Sequence, residues 1–499
     1  MQMSELNNLN TDSWFYTYNP LLEQIPIFKE FDDVMNAMAF NPLEGIDINS
    51  LSFVDRVGLL AGEKSPLEPT MKSVRTAITW YGMLMNGLRT RNPTIAANKA
   101  FYHEFLRCAQ EGNKLPISPT KGMSINVIKG PTGTGKTVTH QRFCACLPQV
   151  IDHGRIDAAG WNNMRQLVYL NVDLSHDGTR GGFLVSILCE MDKLLGTNYA
   201  IDLRRQYKTV ETLAVATIGR LYAHFTGIIF VDEAQLRNIV KSPQAGEMQM
   251  FLLKLMNSGI PLVLSGNECA FDWVTYSQDK SRFSLTQESN FFPIGAMNEP
   301  DADDEWDALF DGVSSYYLLK NPITNREMCS STLRRCSGGI ARLALTLWCY
   351  AQTDALYNRK ETISHTDIQA AYESASFDEV RPLADGFYYK NSMTLALYPD
   401  VNAEFYEMLW NPSDGNVQQA TTTKNEALNE KEHPKTKQKK PLPGKTKLRL
   451  EQDRKRKKNE KRTKLFATMS PDDIRQQGLI HSNLTSLDNL RIEIEKGDI

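Results

Sequence analysis

The stretch between residues 130 and 137 constrains the fold of this chain more than any other. It reads Gly130-Pro-Thr-Gly-Thr-Gly-Lys-Thr137 and matches G-x-x-x-x-G-K-[ST] at every fixed position. The apolar run Ile125-Asn-Val-Ile128 precedes it, and helix-compatible residues follow from Val138 to Cys146. A strand, a glycine-rich loop and a helix in this order predict a phosphate-binding loop, whereas a structural glycine turn is the simpler alternative.

The residue types in this loop suit a nucleoside triphosphate. Glycines let successive backbone N–H groups face a phosphate, Lys136 adds a positive charge at the β- and γ-phosphates, and the Thr137 hydroxyl is a Mg²⁺ ligand. We therefore predict ATP and Mg²⁺ as cofactors. The predicted nucleotide contacts within this stretch are Gly130, Pro131, Thr132, Gly133, Thr134, Gly135, Lys136, Thr137 and Val138.

Composition places the chain among multidomain cytoplasmic proteins. Its 499 residues predict two or three folding units, and 41% hydrophobic residues suffice for a substantial core. No apolar run is long enough to span a bilayer, so no membrane partner is expected. The polar N-terminus differs from a signal peptide. Eight scattered cysteines predict no disulfides, and Cys144-Ala-Cys146 is expected to pack a helix rather than bind metal.

Charge is distributed unevenly along the chain. Residues 424–464 hold 17 Lys and Arg against 6 Asp and Glu, a net charge of +11, whereas the whole chain carries −3, which leaves −14 for the remainder. An acidic body with a basic tail predicts a disordered arm that meets nucleic acid or an acidic partner. Alternatively, the arm is a linker to the last segment of the chain.

Short apolar runs alternate with helical stretches after residue 120. Four of these runs, residues 125–128, 167–172, 227–231 and 261–264, are rich in β-branched side chains. This alternation predicts an α/β fold with a parallel five-stranded sheet flanked by helices on both faces. The predicted units are 1–120, a mostly helical extension; 121–300, the α/β subdomain; 301–376, a small all-α lid; 377–423, an extension of uncertain structure; 424–464, the basic disordered tail; and 465–499, a docking segment.

Two carboxylates end the third apolar run. Ile228-Ile-Phe-Val is followed directly by Asp232 and Glu233, which places both at the carboxyl edge of a parallel strand. We predict that Asp232 joins Thr137 in holding Mg²⁺ and that Glu233 is the general base for the attacking water. A solvent-exposed strand end is the alternative interpretation.

Further polar residues follow in the order expected of such a site. Asn267 ends the next strand and is predicted to orient the attacking water, or else is a turn residue. Arg282 is predicted to reach the γ-phosphate of a neighbouring subunit, or else is a surface arginine. Arg342 follows two glycines in the helical unit and is predicted to contact the phosphates from the lid, or else lies on a helix surface.

These five elements in this order describe an AAA+ ATPase, and the resemblance covers roughly residues 120–376. Two stretches resemble the TnsC family more specifically: Leu147-Pro-Gln-Val-Ile-Asp-His153 and Leu167-Val-Tyr-Leu-Asn-Val-Asp-Leu-Ser-His-Asp-Gly-Thr179. The Asn19-Pro-Leu-Leu-Glu-Gln-Ile-Pro26 segment is similar too. The Asp-Glu-Ala-Gln run at 232–235 is common in this group and in its TniB and MuB relatives.

The resemblance implies a role in DNA transposition, in TnsABCD-type or CRISPR-associated transposons. Proteins of this family form head-to-tail homo-oligomers, as rings or filaments, on double-stranded DNA. They link a target-selector protein of the TniQ or TnsD kind to transposase subunits of the TnsA and TnsB kind, under the control of ATP hydrolysis. In this chain the N-terminal extension is expected to meet the selector and the C-terminal segment the transposase.

Two groups of residues are candidates for contact with DNA. Thr179 and Arg180 lie after the second strand, where the family reaches phosphates, and Arg204, Arg205 and Lys208 form a second cluster. A solvated helix face explains the second cluster equally well. The rival functions are a replication initiator or helicase loader and a nucleotide-switched signalling scaffold.

Overall fold

Five parallel strands form the central sheet, in the order β4-β5-β6-β1-β7. The computed structural model describes residues 17–62, 66–117, 125–173, 179–232, 245–268, 283–284 and 290–411. The strands are β1 (Ile125–Lys129), β2 (Val150–His153), β3 (Met164–Leu167), β4 (Tyr169–Asp173), β5 (Ile228–Asp232), β6 (Leu262–Gly266) and β7 (Phe283–Ser284). The predicted five-stranded parallel sheet is confirmed, and β6 separates the strand before the phosphate loop from the strand that ends in Asp232.

Helices cover both faces of this sheet. The described α-helices are α1 (Phe31–Met38), α2 (Phe53–Leu60), α3 (Met71–Thr90), α4 (Ala96–Glu111), α5 (Lys136–Ala145), α6 (Arg180–Leu195), α7 (Tyr199–Gln206), α8 (Val210–Ala223), α9 (Ala245–Asn257), α10 (Ala302–Ser315), α11 (Arg326–Ser337), α12 (Ala341–Tyr357), α13 (His365–Glu373), α14 (Arg381–Tyr388), α15 (Ser392–Leu395) and α16 (Ala403–Trp410). Short 3₁₀ turns lie at Pro20–Leu22, Ile48–Ser50 and Ala375–Phe377.

Alternate side chains of each strand enter two separate cores. In β5, Ile229 and Val231 join the core beneath α4, α6, α8 and α9, whereas Ile228 and Phe230 join the core beneath α1, α3 and α5. Successive side chains of a strand point to opposite faces, so a strand buried on both sides must be apolar throughout. This burial explains the near-continuous apolar runs of the sequence.

A two-stranded antiparallel hairpin precedes the second strand of the main sheet. β2 and β3 pair from Val150 with Leu167 to His153 with Met164. The predicted strand 167–172 therefore spans two elements, because β3 ends at Leu167 and β4 begins at Tyr169. The sequence analysis missed the hairpin, since β3 has only one strongly apolar residue at each end.

The N-terminal extension is attached to both the sheet and the helical unit that follows it. Leu21 and Ile25 are buried in the core beneath α3, and the Leu21 carbonyl accepts a hydrogen bond from Gln166 Nε2 at 3.1 Å. At the other end of the extension, Arg56 forms a bidentate ion pair with Glu361, at 2.7 and 3.1 Å. The TnsC-like stretch Asn19–Pro26 is therefore packed, through Leu21 and Ile25, against the body of this chain.

Helices α10–α13 share a third core, centred on the buried side chains of Trp306, Phe310, Leu333 and Trp348. The described residues of this region are mostly helical, as the sequence predicts for 301–376, and α12, the longest of the four helices, ends at Tyr357. Three further helices, α14–α16, follow in the region whose structure the sequence left open. In the described part of the chain no helix is long and apolar enough to cross a membrane.

Candidate nucleotide site

The phosphate loop is pressed against the segment that follows the sheet. Phe291 N–H donates to the Lys129 carbonyl at 2.8 Å, which brings the Phe291 backbone against Gly130. A Cβ atom at Gly130 would lie 1.6 Å from the Phe291 carbonyl oxygen, so only glycine fits there. Further along, Gly133 and Gly135 have φ values of 87° and 99°, in the left-handed region where side chains are strained.

Lys136 lies inside the curl of the loop. Its Nζ donates to the carbonyl oxygens of Gly130 and Pro131, at 2.8 and 2.7 Å. Burial lowers the pKa of Lys136 to about 8, against the opposing attraction of Asp232, Glu268 and Asp400. The ammonium group is thus held by backbone dipoles at the start of α5, within reach of a bound phosphate.

The two predicted Mg²⁺ ligands contact each other. Thr137 Oγ1 donates to Asp232 Oδ2 at 3.0 Å, across from the first turn of α5 to the end of β5. Asp232 pairs in register with Asp173 of β4, which makes this edge of the sheet acidic. Mg²⁺ in proteins is bound by a few oxygen ligands, such as a hydroxyl and a carboxylate, and substrate phosphates complete its coordination shell. Thr137 and Asp232 therefore fit the ion.

Asn267, predicted to orient water, directly follows β6 and faces the loop. Its Oδ1 lies 3.4 Å from Thr132 Oγ1. The same hydroxyl lies 3.5 Å from Asp400 Oδ2, a residue between α15 and α16. Asp400 could not be predicted at this site, because no local pattern connects it to a loop 268 residues away.

The lid meets the loop through backbone as well as side chain. Arg342 N–H donates to the Gly133 carbonyl at 2.9 Å, at the start of α12. A Cβ at Gly133 would lie 2.9 Å from Arg342 Cβ and 3.3 Å from Ile340 Cγ2. Glycine at 133 is therefore required both by its backbone conformation and by the close approach of the lid.

A cavity of about 400 Å³ joins these elements. It is large enough for a small-molecule ligand, since ligand pockets run from about 300 to 1,000 Å³. Its polar side holds Thr132, Lys136, Thr137, Asp232 and Asn267. Its apolar side comes from the extension and the lid, and consists of Pro66, Leu67, Leu309, Val313, Ala341 and Leu345.

Two predicted catalytic residues lie outside the described part of the chain. Glu233 directly follows the last residue of β5, and Arg282 directly precedes β7. β7 pairs with β1 at its N-terminal half, Phe283 opposite Ile125. The roles of Glu233 and Arg282 stay predictions.

The predicted DNA contacts separate into two environments. Thr179 caps α6 by accepting from Gly182 N–H at 3.0 Å, and Arg180 begins that helix instead of lying in a loop. Arg180 Nη1 pairs with Glu211 Oε2 at 2.8 Å, and its side chain is only 17% exposed. The second cluster is accessible: Arg204, Arg205 and Lys208 are exposed at the end of α7 and just beyond it.

Sequence reasoning also missed Glu268, next to Asn267. Its side chain is buried, and its carboxylate accepts from Asn402 N–H at 2.9 Å and from the Tyr406 hydroxyl. Burial raises the pKa of Glu268, while these hydrogen bonds and the positive charges of Lys129 and Lys136 oppose the shift. No local sequence pattern predicts that Glu268 is buried, because its hydrogen-bond partners, Asn402 and Tyr406, lie far along the chain.

The fold and the loop define a P-loop nucleotide-binding module with a helical lid. A family model described as an AAA domain matches residues 120–273. The chain thus contains an AAA+ domain, as the order of its motifs predicted, and such domains bind nucleotide. No curated protein matches the chain.

Several solved structures are similar to parts of the chain. The Aeropyrum pernix ORC1 protein in complex with DNA is 19% identical over 60% of this chain and 68% of its own, with a TM-score of 0.33. Drosophila ORC bound to DNA is 13% identical over 73% of both chains, with a TM-score of 0.37. Cdc6p from Pyrobaculum aerophilum is 15% identical over 50% of this chain and 61% of its own, with a TM-score of 0.33.

Proposed function

We propose that this chain is a Mg²⁺-dependent ATPase that regulates DNA transposition as a head-to-tail homo-oligomer on double-stranded DNA. The observation that carries the ATPase is the convergence of Lys136, Thr137 and Asp232 at one edge of the sheet. The hydroxyl and carboxylate lie 3.0 Å apart, next to the half-buried lysine at the start of α5. This grouping of a cation with two oxygen ligands suits a magnesium triphosphate.

In this proposal each residue has a separate task. Lys136 binds the β- and γ-phosphates, and Thr137 with Asp232 holds the Mg²⁺ that neutralises phosphate charge. Glu233 takes the proton of the attacking water, and Asn267 orients that water. Arg282 of one subunit stabilises the developing charge in the site of the next, which requires a heterologous interface.

The transposition role rests on the TnsC-like stretches 147–153 and 167–179, and it supplies the proposed partners. These are double-stranded DNA, a TniQ- or TnsD-like target selector and TnsA- or TnsB-like transposase subunits. For the DNA contact, the exposed Arg204, Arg205 and Lys208 suit non-specific attraction to phosphates better than the ion-paired Arg180. The basic stretch 424–464 adds to this attraction or links the body to the transposase.

Replacing Lys136 tests the nucleotide site. We expect Lys136→Ala to lose binding of a fluorescent ATP analogue, while Lys193→Ala, an exposed lysine on α6, keeps it. Glu233→Gln should bind ATP, fail to hydrolyse it and form long-lived assemblies on DNA. Arg282→Ala should lose turnover and regain it in mixed oligomers with the Lys136→Ala chain. Full ATP binding by Lys136→Ala contradicts the proposed site.

A partner-binding experiment separates transposition from replication initiation or helicase loading. In parallel pull-down experiments, the full chain is immobilised with ATP and duplex DNA and is incubated with purified transposase subunits or with a replicative helicase. The proposal requires retention of the transposase in the ATP state. Retention of the helicase alone supports the rival function. DNA-stimulated ATP turnover, in turn, excludes a scaffold that uses nucleotide only as a switch.

A further inference from the structure

Helices α14–α16 are anchored directly to the end of β6. The buried carboxylate of Glu268 accepts hydrogen bonds from the backbone of Asn402 and from Tyr406. Tyr406 is fully buried in a small core with Phe387 and Leu395, and Trp410 Nε1 donates to the Ala296 carbonyl at 2.7 Å. The segment 398–411 is therefore a packed part of the nucleotide-binding body.

This anchoring brings one carboxylate to the phosphate loop. Asp400 Oδ2 lies 3.5 Å from Thr132 Oγ1, and the same hydroxyl is 3.4 Å from Asn267. The negative charge of Asp400 is also among those that oppose the lowering of the pKa of Lys136. Asp400 thus faces the same residues that the proposed γ-phosphate would contact.

We infer that Asp400 is an intramolecular gate of the nucleotide site, which opposes the γ-phosphate until the segment 398–411 moves away. This inference rests on the proposed binding of ATP at the phosphate loop. A carboxylate and a γ-phosphate are both anions, and they repel each other at short range. Occupation by a triphosphate and the present position of Asp400 are therefore mutually unfavourable.

The gate connects nucleotide state to the C-terminal part of the chain. Asn267 and Glu268 are consecutive residues, so a shift of Asn267 towards a phosphate also moves the carboxylate that holds Asn402 and Tyr406. The segment 398–411 leads into the residues that precede the basic stretch 424–464. Binding of a triphosphate then displaces the segment 398–411, whereas a diphosphate, which lacks the repelled group, does so less.

Neutralising Asp400 tests the inference directly. In the full chain we expect Asp400→Asn to bind an ATP analogue about fivefold tighter or more, the lower end of typical coupling between sites, with a smaller gain for ADP. The matched control is Glu404→Gln, which removes an exposed charge from the first turn of α16 and should change neither affinity. Unchanged or weaker ATP binding by Asp400→Asn overturns the gate.

A second variant separates the gate from a local charge effect. Tyr406→Phe keeps the buried ring but removes the hydroxyl that holds Glu268, so it should also tighten ATP binding. If both substitutions act by releasing the segment 398–411, the increase in ATP affinity of the double variant is smaller than the product of the increases of the two single variants. If the two increases in ATP affinity multiply fully, Asp400 acts as an independent surface charge, and the proposed gate is wrong.

Hydrogen exchange provides a readout that affinity alone does not. ATP with Mg²⁺ should raise exchange in residues 398–411 of the parental chain, while ADP should raise it less. Equal protection with and without ATP overturns the gate. If Lys136→Ala loses ATP binding in the same assays while Asp400→Asn gains none, the ATP site stands and only the gate fails.

Discussion

The hydroxyl of Thr137 donates to the carboxylate of Asp232 at 3.0 Å, although the two residues lie 95 positions apart in the chain. Thr137 lies in the first turn of the helix after the phosphate loop, and Asp232 ends β5. In the sheet, β6 lies between β5 and β1, the strand that precedes the loop. The parallel arrangement makes the contact possible, because every strand of the sheet presents its carboxyl end at the same edge.

Removal of the Asp232 carboxylate should weaken the binding of Mg²⁺ at the site. We expect Asp232→Asn to raise the Mg²⁺ concentration for half-maximal ATP hydrolysis by about 10–100-fold, the usual effect of losing a residue that supports a bound metal. Binding of ATP in EDTA should change little, because Lys136 remains. Asp173→Asn, in register on the neighbouring strand, is the control. An unaltered Mg²⁺ titration for Asp232→Asn contradicts the assignment.

The contact between Gly130 and Phe291 should make even alanine intolerable. A Cβ 1.6 Å from a carbonyl oxygen forces the backbone apart, and we expect Gly130→Ala to lower the free energy of unfolding by about 3 kcal/mol or more. Urea titration measures this change. Gly58→Ala is the matched control, because nothing lies within 4 Å of its added Cβ. That variant should gain about 0.5–1 kcal/mol from helix propensity, so equal effects of the two substitutions exclude the steric argument.

A buried hydrogen bond attaches the N-terminal extension to the strand before the phosphate loop. Trp80 Nε1 donates to Asn126 Oδ1 at 3.1 Å, and both side chains are at most 1% exposed. We expect Asn126→Ala to cost about 1–3 kcal/mol, because it leaves the buried indole N–H without this acceptor. Asn113→Ala, at an exposed site, should change unfolding by less than about 0.5 kcal/mol. Equal midpoints for the two variants in urea contradict the prediction.

The ion pair of Arg56 and Glu361 should make the free energy of unfolding depend on pH in the acidic range. Hydrogen bonding from Arg56 is the main cause that holds the pKa of Glu361 below its ordinary value of 4.5. A carboxyl with a lowered folded-state pKa stabilises the protein fully above that ordinary value, and the contribution is lost as pH falls through the lower value. Urea unfolding of Glu361→Gln between pH 3 and 7 should therefore show a smaller loss of stability in acid. The same slope in parent and variant contradicts this prediction.

The sequence predicted well those features that are local or periodic. The phosphate loop is specified by eight consecutive residues, and the strands by apolar runs that burial on two faces requires. The helices of the lid follow the same logic. Predictions were weaker where tertiary packing decides the boundaries of an element. Because β3 is short and only partly apolar, the predicted strand 167–172 combined the end of β3 with β4.

Residues brought together from distant segments were beyond the reach of any local pattern. The hydrogen-bond partners of the buried Glu268 carboxylate are Asn402 and Tyr406, which lie more than 130 positions later in the chain. Asp400 lies at the phosphate loop only because α16 packs against Ala296 and Phe292. An isolated acidic residue looks the same in the sequence whether its side chain faces solvent or a functional site.

By itself, then, the order of residues determined the sheet, the phosphate loop and the identity of the groups that we propose to bind a triphosphate. Steric limits on glycine, the alternation of side chains on strands and the chemistry of lysine and carboxylates act within a few residues. Only the tertiary structure decided that the N-terminal extension joins the lid through Arg56, and that the C-terminal helices bring Asp400 to the site. Those contacts depend on the packing of whole elements, which no short stretch of sequence encodes.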